Sequence, residues 1–299
     1  MRSLSVPILI AALLAASSAT AELSLHQLSD AVYVLQGGGG NVGVCVGDDG
    51  ILLVDAKLAS QADAVRAALA RFGGPSAELR SKQPQYIFNT HFHADHTGGN
   101  RAFGQHAAIL AHVNVRKRLA TGGEFGKRHI EPAPAVALPE IAFEQSASVF
   151  FNDEEIRAVH FPRAHTDGDI AVFFVNAQIA HLGDLFFNGI FPFVDLEYGG
   201  DVETLTQHIA ALIDQLPADA KIIPGHGPVA TLDDLKAYHR MLVETTASVR
   251  TRRSKGMSLD QISAEGLDAQ WASWEWSFVP ARRWIETVYW SLEANAGER

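Results

Sequence analysis

One cysteine in 299 residues excludes any intrachain disulfide, and with it a small scaffold held together by staples. That residue, Cys45, sits in an alternating apolar stretch and reads as a small buried hydrophobe. A basic excess is also missing. Lys and Arg number 24 against 34 Asp and Glu, so the net charge is −10 and there is no electrostatic footprint for nucleic acid. No apolar run beyond residue 21 is long enough to span a bilayer. Gly-x-Ser-x-Gly is absent, which removes support for serine hydrolysis. The glycine run 37–40 lacks a Lys-Ser/Thr ending and a following helix, so it reads as a turn near a site rather than a phosphate loop. Only 19% of residues are charged and 47% are hydrophobic, which argues against disorder and supplies a core for one large domain.

The first 21 residues read as a secretory leader. Arg2 gives the positive start, residues 8–16 the apolar stretch, and Ala19-Thr20-Ala21 the small-residue cleavage site. Glu22 would then begin a mature periplasmic chain of one domain, 22–299, with no membrane attachment after cleavage.

Short strands are expected at 31–35, at 41–46 and at 51–55, the last two as a hairpin across Asp49-Gly50. Helical spacing covers 60–72, and a strand at 85–89 follows. A further helix is expected at 113–119. Hairpins are expected at 148–151 with 156–161, across Asn152-Asp153, and at 170–175 with 178–182. An amphipathic helix at 202–216 ends at Pro217, and 221–224 is a short buried strand. From residue 232 the chain is mostly helical, with Trp271, Trp274, Trp276 and Trp290 expected to fill core. Strands and helices in two similar halves indicate layered α/β packing.

What is abundant is metal-ligand chemistry. Asn89 to Asn100 reads NTHFHADHTGGN, placing His91, His93, Asp95 and His96 within six positions directly after a strand. Alternate side chains at a strand end face one side, so His91 and His93 can reach one ion. The chain then turns, and Asp95 and His96 can face a second ion beside the first. Imidazoles with a hard carboxylate suit zinc best, ahead of iron or manganese. Three more candidates stand where other strands end: His165 in AHTDGD, Asp184 in HLGD, and His226 in IIPGHG, where glycines permit close backbone approach.

This ordered set resembles the metallo-β-lactamase superfamily over the mature chain to about residue 230. His91-Phe92-His93-Ala94-Asp95-His96 fits its HxHxDH signature, His165, Asp184 and His226 follow in its order, and Asp55 matches its early strand-end aspartate. The resemblance implies an α/β fold, a four-layer αβ/βα sandwich of two mixed sheets flanked by helices, with two zinc ions at one edge. It assigns His91, His93 and His165 to the first ion and Asp95, His96 and His226 to the second, with Asp184 bridging. It further implies hydrolysis of a carbonyl by metal-activated water, with Asp95 relaying the proton. Where the best-known cysteine-type β-lactamases carry cysteine, this chain has Asp184. That context, Gly183 to Phe187, looks more like the hydroxyacylglutathione hydrolase and lactonase branches.

The leading expectation is therefore a periplasmic dinuclear zinc hydrolase of a small, anionic cyclic amide or ester, a β-lactam first. A lactonase or thioesterase is the alternative, and a di-iron redox or binding protein a more distant one. Asp55 is either a partner that fixes a ligand histidine or an ordinary turn carboxylate. Asn188 is a candidate oxyanion donor, residues 121–134 with Lys127-Arg128-His129 a candidate lid, and Asp167 and Asp169 turn-capping residues. His112, His160 and His181 are assigned to structure rather than to the site.

Overall fold

Alternation along the strands sorts the apolar side chains onto two faces, and that sorting builds the layers. A computed structural model describes residues 23–74, 76, 81–125 and 128–297. The expected leader lies outside these residues. β1 (Ser24–Gln27), β2 (Val32–Gln36), β3 (Val42–Gly47) and β4 (Gly50–Val54) form an antiparallel meander. β5 (Pro84–Phe88), β6 (Ala108–His112) and β9 (Ile141–Phe143) extend the sheet in parallel, in the order β1-β2-β3-β4-β5-β6-β9. A hairpin of β7 (Gly123–Phe125) and β8 (Arg128–Ile130) stands apart from it.

The second sheet runs β10 (Ser146–Phe151), β11 (Glu154–His160), β12 (Ile170–Phe174), β13 (Ile179–Phe187) and β14 (Lys221–His226). The first four pair antiparallel, and β14 lies parallel to β13. Both sheets are thus mixed, as expected.

The inner layer joins the sheets. Val34, Cys45, Leu52 and Val54 of the first meet Ile156, Val172, Phe174 and Ile223 of the second, all buried. Their neighbours one position away, Leu35, Val44, Ile51 and Leu53, face outward and pack on Val65 and Leu69 of the helix Ala62–Leu69. Helix Val202–Gln215 and the long helix Leu232–Ser254 cover the outer face of the second sheet, through Leu205, Ile209, Leu235 and Tyr238. Asp201 caps the former, and a Thr231/Asp234 capping box opens the latter. The result is the four-layer αβ/βα sandwich.

Two expectations need correction. β13 does not stop at residue 182: it continues through Asp184 to Phe187, with register shifts against β14 on either side of Gly183. Glycine at that position imitates a strand end, whereas the strand shifts register and runs on. The tryptophans also divide. Trp271 is buried, as is Trp284, which was not anticipated, while Trp290 is 52% exposed and Trp276 lines a cavity. An apolar ring at helical spacing does not by itself say which face is covered. No helix among the described residues is long and apolar enough to cross a membrane.

Candidate metal centre

Strand polarity gathers the site. β4, β5, β13 and β14 all point their C-terminal ends toward one edge, where open α/β sheets place their ligands. Asp55 follows β4, His91 to His96 follow β5, and Asp184 and His226 lie near the ends of β13 and β14. His165 reaches the same edge from the turn before β12.

All seven predicted donors converge, as two sets. His91, His93, His165 and Asp184 offer atoms mutually within 4.8 Å, and so do Asp95, His96 and His226. In the first set Nδ1 of His93 stands 3.1 Å from Nε2 of His91 and 2.9 Å from Nε2 of His165. In the second, Nε2 of His96 is 3.4 Å from Nε2 of His226, and Oδ2 of Asp95 is 3.3 Å from the latter. Asp184 spans both. Its Oδ2 is 3.5 Å from His165 and 3.8 Å from His91, while Oδ1 is 3.1 Å from His96 and 3.5 Å from His226.

The far nitrogens are held, which fixes the near ones. His93 Nε2 meets Asp195 Oδ2 at 2.9 Å, and His165 Nδ1 meets the Phe193 carbonyl at 2.7 Å. His96 Nδ1 meets Asp55 Oδ2 at 2.7 Å. Thr90 Oγ1 donates to that same Oδ2 at 2.7 Å and lies 3.1 Å from His91 Nδ1. With protons on those outer nitrogens, the inner nitrogens of these four histidines present lone pairs when the rings are neutral. The structure therefore resolves Asp55: it orients ligand histidines and is fully buried.

Without an ion, the charges balance within the chain. Burial opposes a positive His96, but Asp184, Asp95 and Asp55 hold its pKa well above the ordinary imidazole value. Burial opposes a positive His226 as well, but Asp184 and Asp95 together raise it to about 9. Burial pulls His91 well down and takes His165 to about 4. The second set thus stores protons against Asp95 and Asp184, and metal binding would release them.

The donors fit a metal pair. Asp184 Oδ1 is buried and makes no aligned hydrogen bond among the described residues; its near neighbours are the donor nitrogens of His96 and His226, at 3.1 and 3.5 Å, an arrangement that suits a shared cation. Packing leaves no slack around the donors. A Cβ on Gly40 would stand 2.2 Å from the His96 ring, and one on Gly225 would stand 2.0 Å from Asp184 Oδ1. The glycine run is thus a turn against the site.

Sequence reasoning missed two residues here. Asp195 lies in an irregular loop without periodic signal, and only the fold brings it to His93. Lys57 is fully buried, with its ammonium donating to the Gly37 carbonyl at 2.6 Å, so it anchors the glycine turn. Burial pushes it down to about 8. Asn188, the candidate oxyanion donor, is not among the residues lining the cavity; its side-chain amide donates to the Pro228 carbonyl and its backbone N–H to the His226 carbonyl, bracing that loop. In the expected lid, β7 and β8 form the hairpin at the cavity rim, where the Tyr198 hydroxyl donates to the Glu124 carbonyl at 2.7 Å. Lys127 lies outside the described residues. Asp167 pairs with Arg118 at 2.6 Å, and Asp169 accepts from the Thr166 N–H and hydroxyl. His112 and His160 stack on each other, and His181 bonds to Asn41 and Gly183, away from the donors.

Residues 35–227 match the family model described as the Metallo-beta-lactamase superfamily. The chain belongs to the metallo-β-lactamase superfamily. A hydroxyacylglutathione hydrolase from Gloeobacter violaceus is 25% identical over 198 residues, 63% of this chain and 70% of that protein. The stereoselective inverting sec-alkylsulfatase Pisa1 from Pseudomonas sp. superposes over 89% of this chain with a TM-score of 0.67 at 16% identity. This chain spans half of that protein's length. A metallo-beta-lactamase from Pontibacter korlensis superposes over 74% of this chain and 98% of its own, with a TM-score of 0.59 at 16% identity. These superpositions agree on the metallo-β-lactamase fold, and superfamily membership supports a metal-dependent hydrolase.

Proposed function

We propose that the protein is a dinuclear zinc hydrolase that opens the carbonyl of an ester, thioester, lactone or cyclic amide. The observation that carries this is Asp184, whose two oxygens face different donor sets. His91, His93 and His165 would hold one ion, Asp95, His96 and His226 the other, and Asp184 both. Bound there, two divalent ions would lower the pKa of a shared water and polarise the carbonyl oxygen. Asp95 is more open to the cavity than Asp184, at 28% against 5% side-chain exposure. With both ions bound, its carboxylate would be the one placed to take a proton from the attacking water and pass it to the leaving atom. Asp195, Asp55 and the Phe193 carbonyl keep the imidazoles oriented throughout, so little reorganisation accompanies the step.

The hydroxyacylglutathione hydrolase relative and the aspartate at 184 favour an ester or thioester. β-Lactam hydrolysis is the second reading, and it rests on the periplasmic leader read from residues 1–21. A panel of esters, thioesters, lactones, penicillins, cephalosporins and carbapenems on zinc-loaded protein tests both. The expected result is turnover of an ester-type substrate that chelation abolishes and zinc restores. Turnover that survives complete metal removal would defeat the proposal.

A further inference from the structure

The candidate centre opens into a cavity of about 670 Å³, within the size range of sites for small organic ligands. His93, Asp95, Asp184 and His226 form part of its lining, so its occupant is whatever reacts there. Six aromatic rings contribute to the rest of the wall: Phe92, Phe187, Phe193, Tyr198, Trp276 and Phe278. Two of these, Trp276 and Phe278, belong to the C-terminal part of the chain, beyond the family match that ends at residue 227.

These two rings are held in place. Trp276 Nε1 donates to the Phe191 carbonyl at 2.9 Å, and the Phe191 N–H donates to the Trp274 carbonyl at 2.8 Å. The Trp276 ring stands 6.0 Å from the His226 ring and 5.5 Å from Phe278. Phe278 packs edge-on against Phe193 at 5.5 Å. The Arg283 guanidinium lies over Phe278 at 4.3 Å and over Phe193 at 5.0 Å, and also donates to the Phe278 carbonyl.

Two cations near the wall already have partners of their own. Arg118 is paired with Asp167 at 2.6 Å and stacked on Tyr198, and Arg283 is engaged by the two phenylalanines. Arg101 stands exposed at the rim. The aromatic part of the lining thus suits a neutral apolar group, while the exposed Arg101, Glu124 and Glu131 carry charge elsewhere in the lining. Phe278 nevertheless remains 39% exposed at this mouth. A ring fixed by a cation and a hydrogen bond yet left open to the cavity is placed to be covered by a ligand.

We propose that Trp276 and Phe278 form the specificity wall of the enzyme, binding an apolar alkyl or aryl arm on the acyl side of the scissile carbonyl. This rests on the hydrolase reading above. The test compares p-nitrophenyl acetate, butyrate and octanoate on zinc-loaded wild type, Phe278→Ala, Trp276→Ala and Trp276→Phe. Calorimetric titration of metal-stripped protein with 2-octanone, a neutral ketone without a hydrolysable bond, reports arm binding without turnover.

Octanoate should exceed acetate in kcat/KM by about tenfold or more, and each alanine variant should cut that octanoate-to-acetate ratio by about tenfold. Trp276→Phe should retain most of the preference, and 2-octanone should bind more weakly to both alanine variants. Phe278 is exposed, so its truncation tests the wall even if Trp276→Ala fails to fold. Equal losses on acetate and octanoate, a preference for an arm bearing a carboxylate, or unchanged ketone binding in Phe278→Ala would overturn the proposal. If no ester is hydrolysed yet ketone binding is lost in Phe278→Ala, the wall stands and the hydrolase reading falls. If esters are cleaved regardless of chain length and the ketone does not bind, the wall falls alone.

Discussion

Asp55→Asn is a nearly isosteric change that should disable both halves of the metal centre. Asp55 accepts the Thr90 N–H on Oδ1 at 2.7 Å, and on Oδ2 both the Thr90 hydroxyl and His96 Nδ1, each at 2.7 Å. An amide has one oxygen. The backbone N–H of Thr90 cannot become an acceptor, so the amide oxygen must stay on it and the NH₂ replaces Oδ2. Facing a donor, His96 must release its Nδ1 proton and carry the proton on Nε2, the atom meant for metal. The Thr90 hydroxyl, now accepting from the amide, turns its proton toward His91 Nδ1, 3.1 Å away, and drives the same exchange there. Asparagine tolerates the left-handed backbone at this position, φ 70°, so the fold should persist. Partners that orient metal-bound histidines are each worth about 10–100-fold in metal affinity, roughly 1.4–2.7 kcal/mol. One histidine of each set is affected, so both sites should weaken by about that factor. Competition against a chromophoric chelator measures the two constants, with circular dichroism as the control for folding. Affinities within twofold of wild type at both sites would refute the tautomer argument.

Two further outcomes follow from buried groups outside the donor sets. Burial pushes the Cys45 thiol up to about 11, so iodoacetamide at pH 8 should leave the native chain unlabelled and modify it fully in guanidinium; native-state labelling would contradict the packed inner layer. Burial likewise raises Asp169 from 3.8 to about 7, against the two hydrogen bonds from Thr166. The folded chain then keeps a proton that the unfolded chain has lost, so the stabilisation this gives is complete below about pH 4 and disappears as pH rises to about 7. Urea unfolding of metal-stripped Asp169→Asn should show a flatter pH dependence in that window than wild type; parallel curves would remove Asp169 as the cause.

Much of this fold is legible where local and tertiary demands coincide. Asp49-Gly50 and Asn152-Asp153 mark hairpins because tight turns need those backbones, and the flanking alternation is what the inner layer buries. The donor set is legible because its chemistry is concentrated between His91 and His96 and recurs beside glycines at 183 and 225. Contacts between distant loops are less legible. Asp195 meets His93 across 102 positions, and nothing in its neighbours announces a carboxylate that orients a ligand. Trp276 looks like core in a tryptophan-rich tail, and only the fold turns it toward His226 and sets Phe278 against Phe193. Asn188, adjacent to an aromatic run, looks available for substrate until the loop carrying His226 claims its amide.

The central claim is that Asp184 joins two metal sites. Counting zinc per chain by mass spectrometry, after equilibration with zinc and removal of the free ion, tests it most directly on wild type and Asp184→Asn. A carboxylate with an oxygen toward each set offsets the repulsion between two dications, and a neutral amide does not. Wild type should hold two ions, and Asp184→Asn should keep its fold while losing the second. One ion per wild-type chain at saturating zinc, or two ions of unchanged affinity in Asp184→Asn, would contradict the account.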